Sequence, residues 1–170
     1  MELKSIWSNE VKALLESFEP LRGLLVREGP GLPALLEGRL ASLAPGQMGL
    51  SLKAAESGHW ELVRGGFYYA ANAMGRAHAL FQNADFPEGA YWHGMLHRRE
   101  GDFPNALYWV RRAGRIPELA GLAGFSPAAF VEACAAAAAR GEEPPHLLEA
   151  QRREWEAMML WSWRRLEALS

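Results

Sequence analysis

The sequence predicts an all-α fold, and three of its features carry that prediction. Threonine is absent and isoleucine and valine are scarce, whereas the helix formers alanine, leucine, glutamate and arginine dominate. Apolar residues recur at steps of three and four along most of the chain, which is the spacing of one helix face. Proline and glycine clusters separate these stretches, as at residues 29–33 and 44–46. We therefore expect helices joined by short loops.

Length, charge and cysteine content narrow the class of protein. A chain of 170 residues is long enough to bury a proper core, and we predict a single domain over residues 1–170. The formal net charge is −2 and no basic cluster stands out, which argues against nucleic acid or a membrane surface as a partner. One cysteine, Cys134, excludes an intrachain disulfide, and the first residues lack a signal-peptide pattern. These features favour a soluble, cytoplasmic protein.

The predicted domain divides into three parts. Residues 1–50 carry N-terminal helices, with helical patterns over residues 3–27 and from Leu32 to Leu43. Residues 52–114 carry two helical hairpins, and residues 126–170 carry the C-terminal helices. Loops containing proline or glycine separate these parts.

The first hairpin is expected to pair a long helix with a short one. The long helix is predicted from Leu52 to Ala70 and the short one from Arg76 to Asn83. Gly65 and Gly66 fall in the middle of the long helix, where each costs about 1 kcal/mol relative to alanine. We therefore expect both glycines to serve close packing.

The second hairpin spans Ala90 to Gly114 and contains its own turn signals. Gly101 is expected to end its first helix, and Asp102 to cap the second through its side chain. Ser126, followed by proline, gives a similar start signal for the next helix, and Gly141 a stop signal.

The hairpin region repeats with a period of 29 residues. In each unit a small residue on the first helix is followed 12 positions later by alanine on the second, so the two helices can approach closely. The matched pairs are Gly65 and Gly94, Tyr68 and His97, Ala77 and Ala106, and Ala84 and Ala113. This pattern resembles the tetratricopeptide repeat, which implies compact helical hairpins.

From His93 to Gly114 the chain reads HGMLHRREGDFPNALYWVRRAG. This run resembles a family of uncharacterised all-helical proteins with the signature HGxxHRREGDxxNAxYWxRRxG. Upstream, His78 and Gln82 extend the likeness. The resemblance implies an all-helical fold and brings no established activity.

A cluster of polar residues in this run is the candidate site. His93, His97 and Glu100 are spaced i, i+4 and i+7, so on a helix they lie within about 60° of one another. The tetratricopeptide likeness places both histidines at positions that normally face the partner helix. We therefore expect two inward imidazoles that need hydrogen-bond partners, with His78 and Asn105 among the candidates.

Three interpretations of this cluster follow. It could be a buried network that pins the hairpins together, with Arg98 or Arg111 paired to Glu100 or Asp102. It could be a metal site, because histidines at i and i+4 can share an ion such as zinc. The metal ligands would then be His93, His97 and Glu100, with His78 as the other candidate for the third position.

The third interpretation is a pocket for a small molecule or a catalytic site of hydrolase type. His93 or His97 would act as the base and Glu100 would orient it. Further ligand-binding candidates lie on the same hairpins: His78, Gln82, Trp92, Asn105, Tyr108, Trp109 and Arg111. Our leading hypothesis is a protein that binds a small ligand or a protein partner, and the alternative is a metal-dependent or acid–base enzyme that uses the same residues.

Overall fold

Nine α-helices and one short 3-10 helix follow one another in residues 34–48 and 50–170, which a computed structural model describes. Before them, it describes only residues 9, 13, 21, 23 and 25. Every regular element in these ranges is helical, which confirms the all-α prediction for this part of the chain. The helical pattern predicted over residues 3–27 and the break predicted at 29–33 lie outside the continuously described ranges.

The helices are short except for the last, and their bounds are as follows. α1 is Ala34–Ser42, the 3-10 helix is Pro45–Met48, α2 is Leu52–Ala55, α3 is His59–Ala70 and α4 is Met74–Phe81. α5 is Pro87–Glu100, α6 is Phe103–Ala113, α7 is Pro117–Ala120, α8 is Pro127–Ala139 and α9 is Pro145–Glu167. Within the described ranges, no helix is both long and apolar enough to cross a lipid bilayer.

The single helix predicted from Leu52 to Ala70 is wrong, because the chain breaks between α2 and α3. Gly58 adopts a left-handed conformation with φ of 71°, which interrupts the helical hydrogen bonds. Ser51 caps α2 by accepting a hydrogen bond from the Ala54 amide at 3.2 Å. Apolar spacing alone does not detect such a break, because Ala54 before it and Trp60 after it are both buried, although Leu52 is 84% exposed.

The two helical hairpins pack closely at their glycines. A Cβ atom on Gly65 would overlap the ring of Phe81 on α4, and one on Gly66 would overlap Met159 of α9 and approach the ring of Trp92. On α5, a Cβ atom on Gly94 would lie 2.9 Å from a Val110 methyl group of α6. The expectation that Gly65 and Gly66 serve close packing is therefore confirmed.

The turn between α5 and α6 has the predicted chemistry. Gly101 has a left-handed φ of 83°. The Asp102 carboxylate accepts a hydrogen bond from the backbone N–H of Asn105 at 3.3 Å. The capping role of Asp102 is confirmed. Ser126 also lies at the start of α8, although its side chain makes no capping hydrogen bond there.

α5 is buried on every face, since all of residues 88–99 are buried. It contacts five other helices: α3, α4, α6, α8 and α9. Arg98 is 1% exposed and donates two hydrogen bonds to Glu154 of α9, at 2.9 and 2.6 Å. Tyr91 donates a third hydrogen bond to the same carboxylate at 2.7 Å. The expected pairing of Arg98 with Glu100 or Asp102 is therefore wrong, because the side chain turns into the core instead of following its own hairpin.

Replacing Glu154 with glutamine tests how strongly this ion pair holds α5 to α9. The substitution leaves the buried Arg98 guanidinium without its countercharge, and we expect a loss of about 3–5 kcal/mol in the free energy of unfolding, measured by urea denaturation. Glu142→Gln, which removes the partner of exposed Arg140, is the control and should cost less than about 1 kcal/mol. The double variant Arg98→Met with Glu154→Leu should recover much of the loss. A loss of equal size in the two single variants would contradict this role for Glu154.

Candidate functional site

Three histidines from two hairpins meet between α4 and α5. His93 and His97 lie one turn apart on α5, and His78 reaches them from α4. The Nε2 atoms of His78 and His93 are 2.9 Å apart, and one ring nitrogen from each of the three residues lies within 4.8 Å of the others. We refer to these three residues as the histidine triad.

The local fold explains why these rings converge. A spacing of four residues stacks His93 and His97 on one face of α5, with their ring centroids 4.6 Å apart. That face packs against α4, so His78 meets both rings, at centroid distances of 4.8 and 5.5 Å. His93 and His97 are each 8% exposed and His78 is half-buried. The expectation of two inward imidazoles is confirmed.

His97 has polar partners on both ring nitrogens. Its Nδ1 lies 3.3 Å from a carboxylate oxygen of Glu100, and its Nε2 lies 3.2 Å from the side-chain amide nitrogen of Asn105 on α6. One protonation state suits both contacts: Nδ1 carries the hydrogen and donates to Glu100, while Nε2 accepts from the amide. Glu100 thereby favours the tautomer in which Nδ1 is protonated. The lone pair of this tautomer is on Nε2, at the ring edge opposite the carboxylate.

Two rings of the triad, His93 and His97, favour the neutral form. Burial, reinforced by His97 and His78, lowers the pKa of His93 from 6.5 to about 4. Burial also lowers the pKa of His97, although the nearby carboxylate of Glu100 opposes the shift. At neutral pH both rings are therefore uncharged, and each keeps one nitrogen lone pair that can accept a hydrogen bond or coordinate a metal ion.

A cavity of about 420 Å³ opens beside His93. Trp109 of α6 forms one wall, with its ring centroid 4.4 Å from that of His93. Polar groups on its lining include Gln82, Asn83, Asp85 and Arg112. A cavity of this size falls in the range that holds small molecules.

The residues predicted for this site fall into two groups. His78, Gln82, His93 and Trp109 lie in the triad or on the cavity wall, and Asn105 and Glu100 contact His97. The other candidates lie elsewhere: Trp92 is fully buried and donates a hydrogen bond to Ser162 at 3.1 Å, Tyr108 is 54% exposed, and Arg111 is exposed and does not line the cavity.

Sequence reasoning missed Arg112, which lines the cavity in place of its neighbour Arg111. Its guanidinium lies 5.3 Å from the centroid of the Trp109 ring and donates a hydrogen bond to the Tyr108 hydroxyl at 3.2 Å. These contacts follow helical i+3 and i+4 spacing, but Arg111 has the same i+3 spacing from Tyr108, so spacing alone does not choose between the two arginines.

No family model, curated protein or solved structure matches this chain significantly. The likenesses to tetratricopeptide hairpins and to the all-helical family therefore stay predictions. The site is interpreted from its geometry alone.

The lowered pKa of His93 predicts how the stability of the fold depends on pH. Because the pKa of His93 is lower in the folded chain than in the unfolded chain, the unfolded chain takes up its proton first as the pH falls. In the presence of EDTA, we expect the free energy of unfolding to be highest above about pH 6.5 and to fall as the pH drops towards 4.

Urea denaturation at several pH values would measure this dependence. His93→Gln should make it shallower, whereas His146→Gln, at an exposed histidine of α9, should leave it unchanged. An unchanged pH dependence in His93→Gln would show that this ring does not resist protonation.

Proposed function

We propose that this protein binds a divalent transition metal, with zinc as the first candidate, through His78, His93 and His97. The convergence of three imidazole nitrogens within 4.8 Å carries this proposal. A small molecule in the adjoining cavity would complete the site, in keeping with a ligand-binding or metal-dependent protein.

Two of the nitrogens already lie near the spacing that an ion requires, whereas the three together lie within 4.8 Å and would draw closer on binding. Zinc–nitrogen bonds are about 2.0–2.1 Å long, so two ligands of a tetrahedral ion are about 3.3 Å apart. The Nε2 atoms of His78 and His93 are 2.9 Å apart, and small rotations of the two rings would separate them to that distance. Three imidazoles also form a ligand set that zinc accepts while it keeps a fourth position open.

Glu100 supports metal binding indirectly, through its contact with His97. A carboxylate that accepts a hydrogen bond from the far nitrogen of a metal-bound histidine fixes the ring and makes it a stronger ligand. Glu100 lies 3.3 Å from Nδ1 of His97, so the Nε2 atom of that ring is the one available to an ion. The amide of Asn105, now 3.2 Å from Nε2, would turn aside when an ion binds.

The cavity adjoins the triad, so a small molecule in it could reach the fourth coordination position of the ion. His93 belongs both to the triad and to the cavity wall, so an ion on the triad would adjoin a space large enough for a small substrate. Such an ion could polarise an oxygen of the substrate or lower the pKa of a bound water, as hydrolytic metal sites do. If the protein is an enzyme, we propose that it catalyses a metal-assisted hydrolysis.

A second candidate function is a ligand pocket that works without a metal. It is favoured by the contacts that the histidines already make, since His78 pairs with His93 and His97 contacts both Glu100 and Asn105. In that case the neutral rings would serve as hydrogen-bonding groups for the ligand or as a base.

Zinc titration of the EDTA-treated and desalted protein separates the two functions. We expect one zinc ion per chain, measured by competition with a chromogenic chelator. His93→Gln and His97→Gln should abolish this binding because each removes a ligand, and Glu100→Gln should weaken it about 10–100-fold by loosening His97.

His146→Gln is the matched control, because it removes an exposed histidine far from the triad in the sequence. Circular dichroism would verify that each variant is folded. Failure of the wild-type chain to take up zinc, cobalt or nickel would rule out the metal proposal and leave the metal-free pocket.

A further inference from the structure

We infer that the cavity beside the histidine triad binds a small carboxylate with a flat apolar body, and that Arg112 and the bound ion together hold the carboxylate group. This inference rests on the proposed metal site and goes beyond it by naming the class of ligand. It starts from the position of Trp109, whose indole lies against both His93 and Arg112.

Arg112 is the positive group of this cavity and lies at its exposed edge. Its guanidinium lies 5.3 Å from the indole centroid of Trp109 and donates to the Tyr108 hydroxyl at 3.2 Å. A planar guanidinium pairs with a carboxylate through two parallel hydrogen bonds, which a neutral amide cannot reproduce. Its charge and planar geometry therefore favour a carboxylate over an uncharged ligand.

The charge of the loaded site also favours an anion. Among the described residues that line the cavity, Arg112 and Asp85 are the two with formal charges, and they balance. A divalent ion on the triad adds two positive charges beside the cavity, whereas the carboxylates of Glu100 and Asp102 act on His97 and do not line the cavity. The cavity lining and the ion together are then positive, so an anion is attracted to the cavity and a second cation is repelled.

The cavity walls indicate the shape and polarity of the part of the ligand beyond its carboxylate group. Trp109 presents an aromatic face, and Phe81, Phe86, Pro87 and Ala90 add apolar surface. A volume of about 420 Å³ accommodates a small ring system but not a polymer. A single arginine also suits one carboxylate better than a phosphate group, whose higher charge usually requires several donors.

Cobalt-loaded protein provides the test, because the visible spectrum of bound cobalt changes when its coordination changes. Benzoate and its neutral analogue benzamide are the probes, with inorganic phosphate as a third. We expect benzoate to change the spectrum saturably and to bind at least about tenfold more tightly than benzamide or phosphate.

Arg112→Gln should weaken benzoate binding at least about tenfold and leave the affinity for cobalt unchanged. Arg115→Gln, at an exposed arginine just beyond α6, is the control and should change neither affinity. Cobalt uptake without a benzoate response, tighter binding of benzamide or phosphate, or full benzoate binding in Arg112→Gln would overturn this inference and leave the metal site intact. A chain that takes up no cobalt would overturn both.

Discussion

The burial of α5 on every face is the constraint on which the rest of the structure depends. A helix surrounded by others normally carries apolar side chains all round, because a buried polar group without a partner is costly. α5 instead carries Glu88, His93, His97, Arg98 and Arg99, all buried. Each of them must find its partner inside the protein, and those partners determine how the neighbouring helices are placed.

The two arginines show how this works. Arg98 pairs with Glu154 on α9, and Arg99 donates to the Tyr69 carbonyl at 3.0 Å and to the Asn72 side chain at 2.7 Å. A bidentate pair with a buried carboxylate tolerates little displacement. α9 and the end of α3 are therefore held at fixed positions against α5, and the histidine face of α5 is directed towards α4.

The buried histidines of α5 also find polar partners inside the protein, but these partners leave the rings uncharged. Their partners are other titratable rings, one carboxylate and one amide, and together they satisfy the rings without placing a positive charge on them. Burial then favours the neutral form, as the pKa of about 4 for His93 indicates. A set of converging imidazoles beside a cavity differs from an ordinary polar core, because an ion or a ligand can replace the hydrogen bonds that the ring nitrogens now make.

Much of this arrangement could be predicted from local sequence, and the remainder depends on contacts between distant residues. Helix periodicity, the Gly101 turn and the Asp102 cap are local features, and the i, i+4 spacing of His93 and His97 is one too. The Arg98–Glu154 pair joins residues 56 positions apart, so no local pattern reveals it. The break at Gly58 was hidden because apolar spacing continues across it. The choice of Arg112 over Arg111 depended on the rotation of α6, which a list of motif residues does not give.

X-ray absorption at the zinc edge of the loaded protein tests the central claim most directly, because it identifies the atoms around the ion. The account predicts about three imidazole nitrogens at about 2.0–2.1 Å and one further light atom in a four-coordinate shell. A six-coordinate shell of oxygen atoms without the multiple scattering of imidazole rings would contradict it, since the ion would then lie on surface carboxylates and not on the histidine triad.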